Sequence, residues 1–181
     1  MTNPRFDVAG IGNAIVDVLT QTDDAFLERE GLAKGAMTLV DEAQAAAVYD
    51  KAGPAMECSG GSAANTIAVM ARLGAKCAFM GKVKDDAFGR IFGHDIRSLG
   101  VHFDTAAAAD GPATANCLVL VTPDAQRTML TYLGASIHLK PADVDLGVIK
   151  DARVTYLEGY LWDPEDAKQA FRTAAAAARD A

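Results

Sequence analysis

Cysteine is scarce in this chain. Only Cys58, Cys77 and Cys117 occur among 181 residues, far apart and with no paired spacing. That spacing excludes a disulfide framework and a cysteine-built zinc site, and free thiols fit a reducing cytoplasm, the expected location. The three histidines, His94, His102 and His138, form no ligand spacing either, so no metal site is expected. Positive charge is also short. Seventeen Lys and Arg face 24 Asp and Glu, for a formal net charge of −7. A protein that tracks phosphates carries a basic stripe, so nucleic acid is excluded as a partner. No apolar run approaches the length of a bilayer span, and the opening "MTNPRFDVAG" lacks the basic flank and apolar stretch of a secretory leader. What is present is a globular composition, 50% hydrophobic and 23% charged, in a length suited to one domain.

Extended and helical patterns alternate along the chain. "FDVAGIGNAIVDVLTQT" reads as a buried strand, a glycine turn and a second extended run. "DDAFLEREGL" reads as a short helix or turn and "MTLV" as a brief strand, after which Asp41 caps a helix. "AMECS" leads, extended, into the pair Gly60-Gly61. Ile67, Met70, Ala71 and Leu73 then share one face of a helix that stops at Gly74. "AKCAFMGKV" is a strand, and the following helix is capped by Asp85 or Asp86 and ends at Gly100. Residues 114–133 form a hairpin turning at Pro123-Asp124. Pro141 opens a helix, "RVTYLEGYL" is a strand, and Asp163-Pro164-Glu165 starts the final helix with cap, first-turn proline and acid. Such alternation predicts an α/β fold, a mostly parallel sheet flanked by helices. Residues 15–40 and 114–133 are β-rich without matching helices, and are expected to pair as a small second sheet, a lid. No strand follows the last helix, so residues 1–181 read as the N-terminal part of one α/β domain, interrupted at the C-terminus.

Two stretches carry chemistry. In "ECSGGSAANTIAVMARLGA" a double glycine at a strand-to-helix junction permits unusual dihedrals and close approach. The helix behind it presents its N–H groups and positive dipole end, with Asn65 on the first turns; a plain glycine turn capped by Ser62 is the alternative. In "GIGNAIVDV" Asp17 lies inside an apolar run, where an unpaired carboxylate is costly and vicinal hydroxyls are suitable partners. The third glycine of a dinucleotide fingerprint is missing, which excludes an NAD-dependent oxidoreductase. Glu158 ends a strand either beside the site or as a satisfied edge carboxylate, and Arg127 is an exposed lid charge or a functional one.

In order and spacing, "GNAIVD", "SGGSAANTIAVMARLGA", "GKVKDDAFG" and "ARVTYLEGYLWDP" resemble the N-terminal part of the ribokinase-like (PfkB-type) sugar and nucleoside kinases, in particular their adenosine-kinase branch. The resemblance covers nearly the whole chain. It implies an ATP- and Mg²⁺-dependent kinase that phosphorylates a primary hydroxyl of a nucleoside or sugar, as a monomer or a lid-mediated homodimer. It implies that Asp17 binds sugar hydroxyls, assisted by Asn13, Gly60, Gly61 and Asn65, that Gly60 and Gly61 form the lid hinge, and that Cys117 and Leu118 line an apolar wall. Lys84 stands where the family has a glycine, in a turn read as structural. The family's glycine-rich anion hole, aspartate base and magnesium-linked Asn-x-x-Glu segment have no match before Ala181, so no catalytic residue is expected within the chain. The alternative is a non-catalytic sugar- or nucleoside-binding module.

Overall fold

A computed structural model describes residues 4–181; residues 1–3 of the stretch read for a leader lie outside the described residues. Strands and helices are numbered along the chain. Among the described residues the strands fall into two sheets. The body sheet has three parallel strands, with β1 (Phe6–Ile11) between β5 (Cys77–Met80) and β8 (Ala152–Leu157). β1 and β5 are nearly continuous in buried residues because helices cover both faces there, while β8 is an edge strand with Val154 and Tyr156 exposed. Val8, Cys77 and Phe79 pack against α3 (Ser62–Arg72) and α4 (Ala87–Ser98), while Ala9, Ile11, Ala78 and Met80 pack with residues of α5 (Leu146–Lys150) and α6 (Glu165–Arg179).

The second sheet has five strands in the order β3 (Met37–Leu39), β7 (Arg127–Tyr132), β6 (Ala115–Val121), β2 (Ile15–Gln21) and β4 (Ala55–Gly60). Residues 15–40 and 114–133 thus supply four strands of one sheet, with β2 and β6 paired in parallel. The segment "AMECS", read only as an approach to the glycines, is a full edge strand antiparallel to β2. Alternation gives the sheet two different faces. Val16, Val18, Leu118, Leu120 and Leu130 enter the same core as Phe79 and Phe92, so α4 is shared between the sheets. The other face leaves Leu19, Met37, Leu39 and Met56 exposed.

Local signals account for most element ends. Asp41 and Gln44 form a capping box at α2 (Glu42–Tyr49), and Asp23 caps α1 (Asp24–Arg29). Of the two candidates before α4 it is Asp86 that caps, accepting from Gly89 N at 2.8 Å. It also accepts from Thr114 N at 2.9 Å and Thr114 Oγ1 at 2.7 Å. Burial alone would raise its pKa, but those hydrogen bonds and the nearby Lys84 charge outweigh burial and hold it below the usual value. Lys84 donates its own N–H to Thr114 Oγ1 at 2.9 Å, so the position that departs from the family pattern sits in a well-tied turn.

Two expectations need correction. Pro141 opens a separate 3-10 turn, Pro141–Asp143, and α5 begins after Asp145, which accepts from Gly147 N and Val148 N. At α6 the cap position is Pro164, without a side-chain cap bond. Its carbonyl takes Lys168 N at 3.0 Å, so the proline itself is the half-in residue and Asp163 stands one position too early.

Candidate functional site

The chain passes between the two sheets at four places, near Gly12-Asn13, Gly60-Gly61, Ala113-Thr114 and Leu133-Gly134. The candidate site lies where β2 and β4 reach the body. Asp17 is on the central part of β2. Its register partners are Cys58 on β4 and Cys117 on β6, and Cys117 is opposite Thr131 on β7. Register partners point the same way, so Cys58, Asp17, Cys117 and Thr131 form a row across the open face. Thr131 Oγ1 lies 3.3 Å from Cys117 Sγ.

Asp17 is half-buried. Burial raises its pKa above the ordinary 3.8, and the positive charge of Arg127 opposes this. No hydrogen bond from the described residues offsets the desolvation. The carboxylate therefore retains its full acceptor capacity in a mostly apolar setting, the condition in which hydroxyl donors are worth most. Both flanking thiols are held high for the matching reason. Burial raises Cys58 and then the Asp17 and Asp95 charges do; burial raises Cys117 and Asp17 adds to it.

Both glycines of the pair are sterically required. A Cβ on Gly60 would overlap the Asp17 carboxylate. Gly61 has φ 97°, in the left-handed region, and a Cβ there would overlap the Asn13 carbonyl. Gly61, not Ser62, is the cap residue of α3. One of the free first-turn amides of that helix is satisfied from elsewhere, since Ala63 N donates to Glu158 Oε1 at 3.0 Å and the Ser62 hydroxyl donates to the same oxygen. A carboxylate at a helix N-terminus is well placed for the dipole. Thus the helix end expected to face a ligand is already occupied, at Ala63, by Glu158.

Other expected residues take different places. Asn13 is 3% exposed. Its Nδ2 donates to Glu158 Oε2 at 3.0 Å and its Oδ1 accepts from Ser136 Oγ at 2.9 Å. Both ends of the amide are used inside the protein, so Asn13 belongs to the framework of the site. Leu118 is 2% exposed in the core on the far face of the sheet. Next to Cys117 in a strand, it must point away from Asp17. Asn65 donates its main-chain N–H to Gly61 O at 2.8 Å and its side chain is exposed on the first turn of α3. Arg127 is exposed at the start of β7, where its charge acts on Asp17. Glu158 is 3% exposed and fully engaged. Sequence reading missed Cys58 and Thr131, which join the row of Asp17 only through strand pairing, and Ser136, which carries no local signal.

Comparison with known proteins agrees with this architecture. The pattern of the pfkB family carbohydrate kinases matches residues 37–181. Adenosine kinase from Sinorhizobium meliloti superposes with a TM-score of 0.89 at 51% identity, over 97% of this chain and 54% of that one. A probable sugar kinase from Rhizobium etli CFN 42 gives 0.90 at 48% identity, over 98% and 54%. Probable fructokinase-6 of Arabidopsis thaliana, described as chloroplastic, is 32% identical over 67% of this chain and 32% of its own length. The chain thus spans about half the length of these solved structures and about a third of that curated relative. With a family match that runs through both sheets and an α/β fold shared with these kinases, the protein belongs to the pfkB family of carbohydrate kinases.

Proposed function

We propose that residues 1–181 supply the substrate-binding half of a kinase that transfers the γ-phosphoryl group of ATP to a primary hydroxyl of a nucleoside or sugar. The observation that carries this reading is Asp17, a half-buried carboxylate without a hydrogen-bond donor among the described residues, in the middle of an open apolar sheet face. A carboxylate presents two acceptor oxygens, and a vicinal diol presents two donors at matching separation. Cys58, Cys117 and the exposed Leu19 and Met56 give that face the apolar surface suited to the carbon skeleton or base of such a ligand. The second sheet then acts as a lid, hinged at Gly60 and Gly61. Its closure removes water from a phosphoryl transfer whose competing reaction is hydrolysis of ATP. The adenosine-kinase neighbours favour a nucleoside, while the fructokinase relatives keep sugars within the class.

ATP and Mg²⁺ are the co-substrate and metal of this reading. Among the described residues no group of three or more carboxylate, histidine or thiol side chains is placed to hold a metal ion. Among the described residues no helix is long and apolar enough to cross a membrane, and cytoplasmic action is part of the proposal.

ADP release by the complete protein over adenosine, ribose and fructose tests the reading. Turnover is expected with one of these at least tenfold above the others, since a site built around specific hydroxyl donors rejects ligands that lack them by about 10² or more. ADP formation that is independent of all added sugars and nucleosides would refute it. A second expectation concerns Cys58, the most accessible of the three thiols; Cys77 and Cys117 are buried. Iodoacetamide alkylates Cys58 first, slowly at pH 7 and faster as pH rises toward its raised pKa. The alkylated protein loses substrate binding, and saturating substrate protects it. Complete Cys58 labelling with an unchanged KM would remove that residue from the site.

A further inference from the structure

Glu158 directly follows β8 of the body sheet, yet its carboxylate holds groups from the crossings to the other sheet. Oε2 accepts Asn13 N at 2.5 Å and Asn13 Nδ2 at 3.0 Å, just after Gly12. Oε1 accepts Ala63 N at 3.0 Å and the Ser62 hydroxyl, just after Gly61. Asn13 passes the connection on to Ser136 Oγ at 2.9 Å, just after Gly134. Three of the four crossings therefore place a glycine within two residues of a side chain tied, directly or through Asn13, to one buried carboxylate. The fit around it is tight, since a Cβ on Gly12 would lie 2.7 Å from Glu158 Oε2. β8 itself is anchored, with Glu158 N donating to Ile11 O at 3.0 Å.

We infer that Glu158 is a positioning residue that fixes where the second sheet, and with it Asp17, stands against the body. The inference rests on the reading above that Asp17 binds the substrate. Glycines at the crossings make the junction flexible, and a flexible junction by itself would leave Asp17 badly located. A carboxylate is the group this task requires. Its two oxygens accept four hydrogen bonds from N–H and O–H groups, and with every partner a donor, only an acceptor on both sides satisfies them. Buried charge paired in this way resists displacement, because releasing any partner leaves a desolvated acceptor behind. Glu158 makes no bond to the Asp17 row; it acts on the substrate through the register of β2 and β4.

The test uses the complete protein and three variants. Glu158→Gln keeps shape but turns an NH₂ toward donors, disrupting two of the four bonds. Ser62→Ala removes one donor and leaves the carboxylate, so it tests the same point where Glu158→Gln fails to fold. Asp17→Asn reports on the substrate site itself. In Glu158→Gln, kcat/KM for the sugar or nucleoside falls about 10²-fold, chiefly through KM, as expected for a misplacement of about 1 Å. Ser62→Ala raises the same KM several-fold, and the KM for ATP stays within about twofold in both, since the loss lies in binding of one substrate. A residue that only stabilises the fold would lower the melting temperature and the active fraction, hence apparent kcat, and leave KM alone. An unmoved sugar or nucleoside KM in Ser62→Ala and in any folded Glu158→Gln therefore overturns the inference. If Asp17→Asn impairs binding while those variants do not, only the role of Glu158 fails. If Asp17→Asn is also without effect, the substrate reading fails with it.

Discussion

On the proposed role of Asp17, asparagine at position 17 of the complete protein is expected to make the fold more stable and, in the same step, to lower kcat/KM for the sugar or nucleoside by about 10²- to 10³-fold, the equivalent of losing one or two hydrogen bonds to a charged acceptor at about 1.5–3 kcal/mol each. The two effects have one origin. Asp17 is partly desolvated on β2 and receives no compensating hydrogen bond from the described residues. Burial, opposed by Arg127, leaves its folded-state pKa above 3.8. The sign follows directly. In the window between 3.8 and the raised value the folded chain holds the proton more tightly than the unfolded chain, so stability rises as pH falls through that window. Above it, the ionised carboxylate weakens the fold, a burden that asparagine does not carry. Under the proposed role, substrate affinity is expected to run the other way, because hydroxyl donors need the ionised form, so wild-type affinity should fall on acidification through the same window. Exchanging Arg127 for alanine removes the opposing charge, raises the Asp17 pKa further and moves the acid limb of binding to higher pH. Melting curves and ADP release measured side by side check both halves. An Asp17→Asn protein that melts lower, or one that keeps its KM, contradicts the argument.

Conflict between a local rule and the fold is expected where function lies, and this carboxylate was visible in the sequence for that reason. A carboxylate inside "AIVDVLTQT" is costly to bury without a partner. The element boundaries were legible on similar local grounds. Asp41 and Asp86 cap helices that their side chains reach within three residues, and Gly74 and Gly100 follow helix ends with positive φ. What escaped were facts that only pairing creates. Cys58 is 41 positions from Asp17, and it joins the site because β4 runs antiparallel to β2 in a register that sets the two opposite. Leu118 was placed in the site beside Cys117, although alternation allows only one of two adjacent strand residues on a given face. Once Cys117 is opposite Asp17, Leu118 is committed to the core. Asn13 was read toward a ligand for want of its partner, which lies 145 residues away. Glu158 presented both readings in the sequence, and only the convergence of Asn13, Ser62 and Ala63 on it separates them.

The glycine pair makes the sharpest demand, because its two members fail differently on substitution. Gly61→Ala meets both a positive φ of 97° and the Asn13 carbonyl. It loses stability by about 1–3 kcal/mol from backbone strain alone, with the steric contact in addition. Gly60 carries no such dihedral penalty, and the three atoms nearest to a Cβ there all belong to the Asp17 carboxylate. β2 is held on both sides by β4 and β6, so its backbone has little freedom to withdraw and the Asp17 side chain must turn aside. Gly60→Ala is therefore expected to unfold within about 1 kcal/mol of the wild type in urea, while kcat/KM drops about 10²-fold through misplacement of the substrate's acceptor. The reason for that loss is itself measurable. With Asp17 already replaced by alanine, a Cβ at position 60 has no carboxylate to meet. In a double-mutant cycle the second substitution then adds almost nothing, and the coupling equals nearly the whole effect of Gly60→Ala. Additive losses would mean that Gly60 serves the hinge independently of Asp17. A coupled pair would show that the glycine is there to make room for the carboxylate.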